Sequence, residues 1–155
     1  MYSKNFKYIL VDEYQDTNLI QSKWLNYLAK HNQNICCVGD DDQSIYSWRG
    51  AEIKNFLEFD KIYDNTKIVR LERNYRSTQN ILSVASKIIS NNETRVGKNL
   101  FTEGEDGDLV SLNCFRNGKD EATGVSDEIE KLKKKFSLNN MSILVRAIFQ
   151  TREFE

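Results

Sequence analysis

The sequence predicts an α/β protein that contains segments of parallel sheet, and three features lead to that prediction. An apolar run at 8–11 ends in the adjacent carboxylates Asp12 and Glu13. A second apolar run, at 35–38, is followed by three more carboxylates at 40–42. The stretch between the runs has the spacing of an amphipathic helix. Short apolar runs suit strands buried on both faces, and strand, helix and strand in this order indicate a parallel βαβ unit.

The first helix is predicted from its start signal and its apolar spacing. Asp16, Thr17 and Asn18 carry side chains that cap helix N-termini, and the helix is expected to extend to about His31. Apolar residues at i, i+4, i+7 and i+8 are expected to form its buried face, namely Ile20, Trp24, Tyr27 and Leu28.

The rest of the chain predicts a similar alternation of helices and strands. Further helices are expected at 51–63, 78–90 and 119–136, strands at 66–72, 109–115 and 141–145, and a last helix from Phe149 onward. The expected inward side chains include Ile53, Phe56, Leu57, Tyr63, Ile81, Leu82, Ala85, Ile88, Ile89, Ala122, Val125, Ile129, Leu132 and Phe136. The polar, glycine-containing residues 91–108 are predicted to form an irregular crossing segment.

Composition excludes some classes of protein and limits others. The 155 residues include 22 basic and 23 acidic side chains, so the chain is not a strongly basic nucleic-acid binder, although a local basic patch remains possible. The sequence has no apolar run of about 18 residues or more, so no membrane partner is expected. The three cysteines lie in apolar, strand-like runs, which predicts small buried side chains rather than a metal site or disulfide framework, and a reducing, cytoplasmic location.

Three polar clusters follow predicted strands, where ligands bind in open parallel sheets. The first contains Asp12, Glu13, Gln15 and Asp16, the second spans 39–51, and the third spans 72–77. Together they offer carboxylates, a glutamine and arginines, which are the groups that phosphoryl transfer requires. Of the adjacent carboxylates Asp12 and Glu13, one can hold Mg²⁺ and the other can accept a proton from water. On these two residues alone, an ordinary acidic loop after a core strand is the simpler interpretation.

The second cluster contains Tyr46, Trp48 and Arg49 within four residues. Aromatic side chains in a loop, interleaved with a cation, suit stacking on unpaired bases, at about 1–3 kcal/mol per base. Their composition alone is equally compatible with a plug at a domain interface.

These clusters, taken as motifs, resemble the UvrD/PcrA/Rep family of superfamily I DNA helicases. Residues 11–18 (VDEYQDTN) resemble the Walker B motif of that family, and 38–51 (VGDDDQSIYSWRGA) and 71–77 (LERNYRS) resemble its next two motifs. Residues 98–102 (KNLFT) are similar to a Lys-x-Leu-Trp-Thr stretch, with Phe101 where tryptophan is usual. Residues 143–146 and 150–152 resemble a strand and helix of the second motor domain, so the resemblance covers the whole chain.

The resemblance implies an ATP- and Mg²⁺-dependent motor that moves along single-stranded DNA, commonly 3′ to 5′, and separates duplexes. It implies that Asp12 holds Mg²⁺ through water and that Glu13 is the general base. Gln43 would contact the attacking water or the γ-phosphate, Tyr75 would stack on adenine, and Arg76 would reach the γ-phosphate.

The same resemblance implies that Tyr46, Trp48 and Arg49 contact single-stranded DNA. It also implies a P-loop NTPase (RecA-like) architecture, with the end of the first motor domain at 1–76 and the start of the second at 77–155.

The resemblance leaves part of the family's machinery unaccounted for. No Gly-x-x-x-x-Gly-Lys-[Ser/Thr] phosphate loop occurs in the 155 residues, so the expectation is an internal portion of a helicase that is inactive alone. Expected partners are single-stranded DNA, duplex junctions and flanking helicase fragments. The alternative is a non-enzymatic remnant with residual single-stranded DNA binding.

Overall fold

The computed structural model describes residues 2–92 and 96–155, and its contacts divide the chain into the units Met1–Val110 and Ser111–Glu155. The predicted division at 76–77 between motor-domain segments stays a prediction. Among the described residues, no helix has both the length and the apolar character of a membrane span. The strands are β1 (Ile9–Val11) and β2 (Ile35–Cys37), and the helices are α1 (Leu19–Ala29), α2 (Lys54–Leu57), α3 (Phe59–Ile62), α4 (Gln79–Ile89) and α5 (Gly118–Leu132).

The predicted parallel βαβ unit is confirmed by β1, α1 and β2. The two strands pair in parallel, with Ile9 opposite Ile35 and Val11 opposite Cys37. Backbone hydrogen bonds continue past the strands, because the Val38 N–H donates to the Val11 carbonyl at 2.8 Å and the Tyr14 N–H donates to the Val38 carbonyl at 3.0 Å. The fold is therefore mixed α/β with a small parallel sheet, and the residues that follow both strands are held side by side.

Helix α1 begins as predicted but turns a different face inward. Asn18 is its N-cap, and the Asn18 and Gln21 side chains each accept a hydrogen bond from the other's backbone N–H, at 2.9 Å, in a capping box. The buried side chains are Ser22, Leu25 and Ala29. The prediction of an inward face was wrong for three of its four members, since Ile20, Trp24 and Tyr27 are exposed.

The reason for the different face of α1 lies in the residue that it packs against. Tyr14 is fully buried, and its hydroxyl lies 3.2 Å from the Ser22 hydroxyl on the face that also carries Leu25 and Ala29. A tyrosine needs a hydrogen-bond partner when it is buried, and a serine supplies one. A polar contact therefore determines which side of α1 faces the core.

The predicted helix at 51–63 forms two short helices instead of one. Helices α2 and α3 meet at Glu58, whose φ of −108° and ψ of 18° lie outside helical values. The break brings the Phe59 ring edge-on to Tyr14, with ring centroids 5.6 Å apart, and 4.7 Å from the Tyr63 ring. Burial raises the pKa of Tyr63 to about 12. This aromatic group is the core behind β1 and β2.

The three other predicted strands, at 66–72, 109–115 and 141–145, are wrong. Within the described residues, their only ladder contact is an isolated bridge next to the first run, between Arg73 and Phe101. A strand forms through a ladder of hydrogen bonds to a neighbour, and in the described part of the chain the only such bond of these runs is from the Phe101 N–H to the Glu72 carbonyl, at the end of the first run. Their apolar side chains remain open to solvent, as Leu112 (92% exposed) and Leu144 (94% exposed) illustrate.

The predicted helices at 78–90 and 119–136 are confirmed as α4 and α5, although α5 ends four residues early, at Leu132. The predicted inward residue Leu82 is buried in α4, whereas Ile81, Ala85 and Ile88 are exposed. In α5 the predicted stripe is half-buried at Ala122, Val125 and Ile129 and exposed at Leu132 and Phe136. The last predicted helix is a 3₁₀ helix, Ile148–Glu153.

The predicted crossing segment, 91–108, is irregular over its described residues, 91–92 and 96–108, and its residues 93–95 lie outside the described part of the chain. The cysteine prediction was wrong in one respect, because Cys36 and Cys114 are exposed and only Cys37 is half-buried. All three are free thiols, and burial raises the pKa of Cys37 to about 12.

Candidate functional site at the strand ends

The residue that follows β1 and Asp12 has a strained backbone. Glu13 has φ 50° and ψ 43°, the left-handed conformation that residues with a Cβ rarely adopt. Its N–H donates to Asp12 Oδ1 at 2.9 Å. Such a conformation costs about 1–3 kcal/mol and is concentrated at functional sites. Here it turns the chain sharply between the two carboxylates.

Gln15 joins the ends of the two strands. It is 1% exposed, its Nε2 donates to Glu13 Oε2 at 2.7 Å, and its Oε1 accepts from the Asp40 N–H at 3.1 Å. Gly39 makes room for this contact, because a Cβ there would lie 2.6 Å from Gln15 Oε1. Gln15 had no role in the sequence analysis beyond its place in the first cluster. In the structure its side chain links Glu13 to Asp40.

Asp40 is the centre of the second cluster. Its Oδ2 accepts from Gln43 Nε2 at 2.7 Å, while its Oδ1 accepts from the Asp42 N–H at 3.0 Å and forms an ion pair with Lys98. Partial burial raises the pKa of Asp40, but the hydrogen bonds from Lys98 and Gln43 outweigh it and the pKa lies below its ordinary value. The Asp40 carboxylate therefore stays charged and orients Gln43.

The structure thus connects Glu13 and Gln43 through Gln15 and Asp40. Sequence reasoning missed Lys98 as a member of this group, although it is the first residue of the 98–102 stretch that resembles a family motif.

The third cluster is arranged differently. The Asn74 side-chain oxygen accepts from the N–H groups of Arg76, at 2.9 Å, and Ser77, at 2.8 Å, which forms an Asx turn. Tyr75 is 82% exposed, with the Arg73 guanidinium 4.8 Å from its ring centroid. In the part of the chain that the structure describes, the Arg76 side chain has no hydrogen bond or ion pair. Neither Tyr75 nor Arg76 is brought into contact with Glu13 or Gln43.

The aromatic loop is a single 3₁₀ turn, Ser47–Arg49, that ends at Gly50, whose φ of 84° suits glycine. The Tyr46 and Trp48 rings lie 6.3 Å apart, and the Arg49 guanidinium lies 5.1 Å and 5.9 Å from their centroids. Trp48 is 78% exposed. An open indole beside a stacked cation is a surface on which a base can stack.

The aromatic loop is attached to the segment that follows the first cluster. Ala51 forms an antiparallel bridge with Asn18, and the Glu52 N–H donates to the Thr17 carbonyl at 3.0 Å. A pocket of about 150 Å³ separates the loop from this segment, lined by Asp16, Asn18, Gln21, Tyr46 and Arg49. The loop and the carboxylates therefore share a backbone support.

Asp12 fits the role of a magnesium ligand through water, because it is an exposed carboxylate directly at a strand end. The carboxylates of Asp40, Asp41 and Asp42 also lie within 4.8 Å of one another. Both oxygens of Asp40 are already engaged, and Asp41 Oδ2 accepts from the Val96 N–H at 2.7 Å. Asp12 Oδ1 likewise accepts from the N–H of the residue that follows it, but Asp12 is exposed whereas these three aspartates are half-buried, so Asp12 is the more accessible candidate for a hydrated cation.

Comparison with known proteins identifies the family. A model described as the UvrD/REP helicase N-terminal domain matches residues 1–64. A second, described as the UvrD-like helicase C-terminal domain, matches residues 69–155, which is more than half of the chain. The chain belongs to the UvrD-like helicase family. The resemblance of its motifs is thereby confirmed.

Curated relatives of the chain match it over nearly its whole length. It is 50% identical to a "Probable DNA helicase II homolog" of Rickettsia conorii, over 99% of this chain and 24% of the relative. It is 46% identical to DNA helicase II of Escherichia coli and to the ATP-dependent DNA helicase PcrA of Bacillus subtilis, over 99% of this chain and 22% and 21% of the relatives. The chain spans about a quarter of the length of these UvrD-like helicases.

Proposed function

We propose that the chain is a portion of an ATP-dependent 3′–5′ DNA helicase. This portion carries the carboxylates for ATP hydrolysis and part of the surface that binds single-stranded DNA. The observation that carries the proposal is the bridge made by Gln15, which joins Glu13 to Asp40 and through it to Gln43. A base and a glutamine at the ends of adjacent parallel strands are the arrangement that phosphoryl transfer to water needs. A P-loop NTPase (RecA-like) architecture belongs to this proposal.

The proposed roles rest on the resemblance of the motifs to the family, and the positions of the side chains support them. Asp12 holds Mg²⁺ through water, and the ion neutralises charge on the phosphates. Glu13, whose carboxylate is fixed by the Gln15 amide, accepts the proton of the attacking water. Gln43, fixed by Asp40, contacts that water or the γ-phosphate.

Tyr75 and Arg76 complete the proposed nucleotide site. Tyr75 stacks on the adenine, and Arg76 reaches the γ-phosphate. Their exposure supports these roles, because both side chains are accessible to a ligand.

Tyr46, Trp48 and Arg49 form the proposed contact with single-stranded DNA. Their loop is hydrogen-bonded to the segment after Asp12 and Glu13. A movement of that segment would therefore displace the loop that contacts the DNA. The proposed partners are single strands, duplex junctions and flanking helicase fragments, in the cytoplasm.

The isolated chain is proposed to hydrolyse ATP negligibly. Its 155 residues contain no phosphate loop, and that loop supplies most of the contacts to the nucleotide's phosphates. The exposed aromatic loop favours a second candidate function, a non-enzymatic remnant that retains single-stranded DNA binding. The gene sequence on both sides of this reading frame would distinguish a portion of a helicase from a non-enzymatic remnant.

DNA binding by the isolated chain tests the role of the aromatic loop. Trp48→Ala is expected to weaken the affinity for a fluorescent single-stranded oligonucleotide by about five- to a hundredfold, which is the loss of about 1–3 kcal/mol of stacking. Trp24→Ala is the matched control, since Trp24 is also exposed but lies on α1. Affinity should fall with salt by about 0.7 log units per phosphate contact per log unit of salt. A preference for duplex, or equal losses in both variants, would refute the role.

A further inference from the structure

Residues 96–103, called the strap below, connect two of the polar clusters. At one end the Val96 N–H donates to Asp41 Oδ2 at 2.7 Å, and Lys98 forms its ion pair with Asp40. The strap therefore lies on the turn that carries Gln43.

The other end of the strap contacts the third cluster. The Asn99 N–H donates to Glu72 Oε1 at 3.1 Å, and the Phe101 N–H donates to the Glu72 carbonyl at 3.0 Å. The Phe101 carbonyl accepts from the Asn74 N–H at 2.8 Å, and Arg73 pairs with Glu103. The strap thus contacts both the turn of Gln43 and the segment of Tyr75.

The ion pair of Lys98 differs from the others in its burial. The Lys98 and Asp40 side chains are 18% and 22% exposed, whereas the side chains of every other ion pair within residues 2–92 and 96–155 are at least 44% exposed. Water screens a half-buried pair less than an exposed one. This pair can therefore determine whether the strap stays docked, and exposed pairs contribute little.

We propose that Lys98 is a positioning residue that docks the strap on Asp40 and so fixes the orientation of Gln43. Asp40 uses one oxygen for Lys98 and the other for Gln43, so the lysine limits the rotation of the carboxylate that holds the glutamine. The functional meaning of Gln43 rests on the proposed function. The docking itself is a property of the free chain.

Amide hydrogen exchange of the chain without nucleotide or DNA tests the docking. Lys98→Met, which keeps the length of the side chain but removes its charge, is expected to speed exchange about tenfold or more at the amides of Val96, Asn99 and Phe101. Lys98→Arg should restore protection to within about threefold of the parent chain. Lys87→Met on α4 is the control and should change none of these amides. Unchanged protection in Lys98→Met would overturn the proposal.

The side-chain amide signal of Gln43 in nitrogen-15 NMR spectra tests the positioning. Lys98→Met is expected to shift it toward the position of a solvent-exposed glutamine, and Lys98→Arg to return it. Strap opening without a shift of this signal would refute the positioning role.

A double-mutant comparison tests whether Lys98 acts through Asp40. Asp40→Asn keeps an oxygen for Gln43 but removes the charge that Lys98 needs, so it should also open the strap. Adding Lys98→Met to Asp40→Asn should open the strap little further. Additive effects of the two changes would contradict the proposal. These readouts use no DNA or ATP, so they can fail while the proposed function stands.

Discussion

Hydrogen bonds join the first polar cluster to the second, whereas among the described residues none joins the third cluster directly to either. Glu13, Gln15, Asp40 and Gln43 form a continuous series across the ends of β1 and β2, in which the Gln15 side chain accepts from the Asp40 backbone N–H. In the third cluster the Asn74 side chain fixes the turn and the strap contacts Glu72 and Arg73, while the side chains of Tyr75 and Arg76 remain exposed. The groups proposed to act on water are held by hydrogen bonds in the free chain, whereas the exposed groups proposed to contact the nucleotide are expected to gain their orientation from it.

The largest effect should come from removing the bridge of the first two clusters. Gln15→Met keeps the bulk of this buried side chain but leaves the part-buried Asp40 N–H without its acceptor, so the free energy of unfolding should fall by about 1–3 kcal/mol. Denaturant-induced unfolding of the parent chain and the variant measures this change in the free energy of unfolding. Gln79→Met is the control, because within the described residues the exposed contact of the Gln79 side-chain amide is a single hydrogen bond to the Ser83 hydroxyl, at 3.3 Å. Equal losses in both variants would mean that the bridge does not stabilise the fold.

The pH dependence of stability should report the charge on Asp40. The pKa of Asp40 in the folded chain lies below its ordinary value of 3.8, so its contribution is complete above that value and is lost as the pH falls through the lowered pKa. Denaturant unfolding between pH 7 and acidic pH should show this loss, and Asp40→Asn should remove that part of the slope. An identical slope in parent and variant would show that Asp40 is not stabilised in its charged form.

The smallest effect should come from the third cluster. Tyr75→Ala and Arg76→Ala are each expected to change the free energy of unfolding by no more than about 0.5 kcal/mol, because their side chains have few internal partners. Chemical unfolding of the two variants beside Gln15→Met gives the contrast directly. A loss as large as that of Gln15→Met would show that the third cluster is also fixed internally.

The sequence predicts well what depends on neighbouring residues. The cap at Asn18, helices α4 and α5, and the βαβ unit all follow from local spacing and start signals. The buried face of α1 could not be predicted from its apolar spacing, because the Ser22 contact to Tyr14 decides it. The apolar runs at 66–72, 109–115 and 141–145 predicted strands, but pattern alone does not supply the neighbour that a strand requires.

The candidate site shows the same limit. The motifs placed Asp12, Glu13 and Gln43 in neighbouring clusters, but the roles of Gln15 and Lys98 depend on contacts across 25 and 58 residues of chain. Only the fold shows which partners such side chains reach.

ATP hydrolysis by the chain mixed with a separate helicase segment that carries a phosphate loop tests the central claim most directly. The chain alone should give background turnover. The mixture should show turnover that single-stranded DNA stimulates and that Glu13→Gln lowers by about a hundredfold or more, the contribution of a general base. DNA-stimulated turnover by the chain alone, abolished by Glu13→Gln, would contradict the claim that it is incomplete. Failure of the two pieces to associate would count against flanking fragments as partners, and a mixture whose turnover survives Glu13→Gln would contradict the assignment of this site.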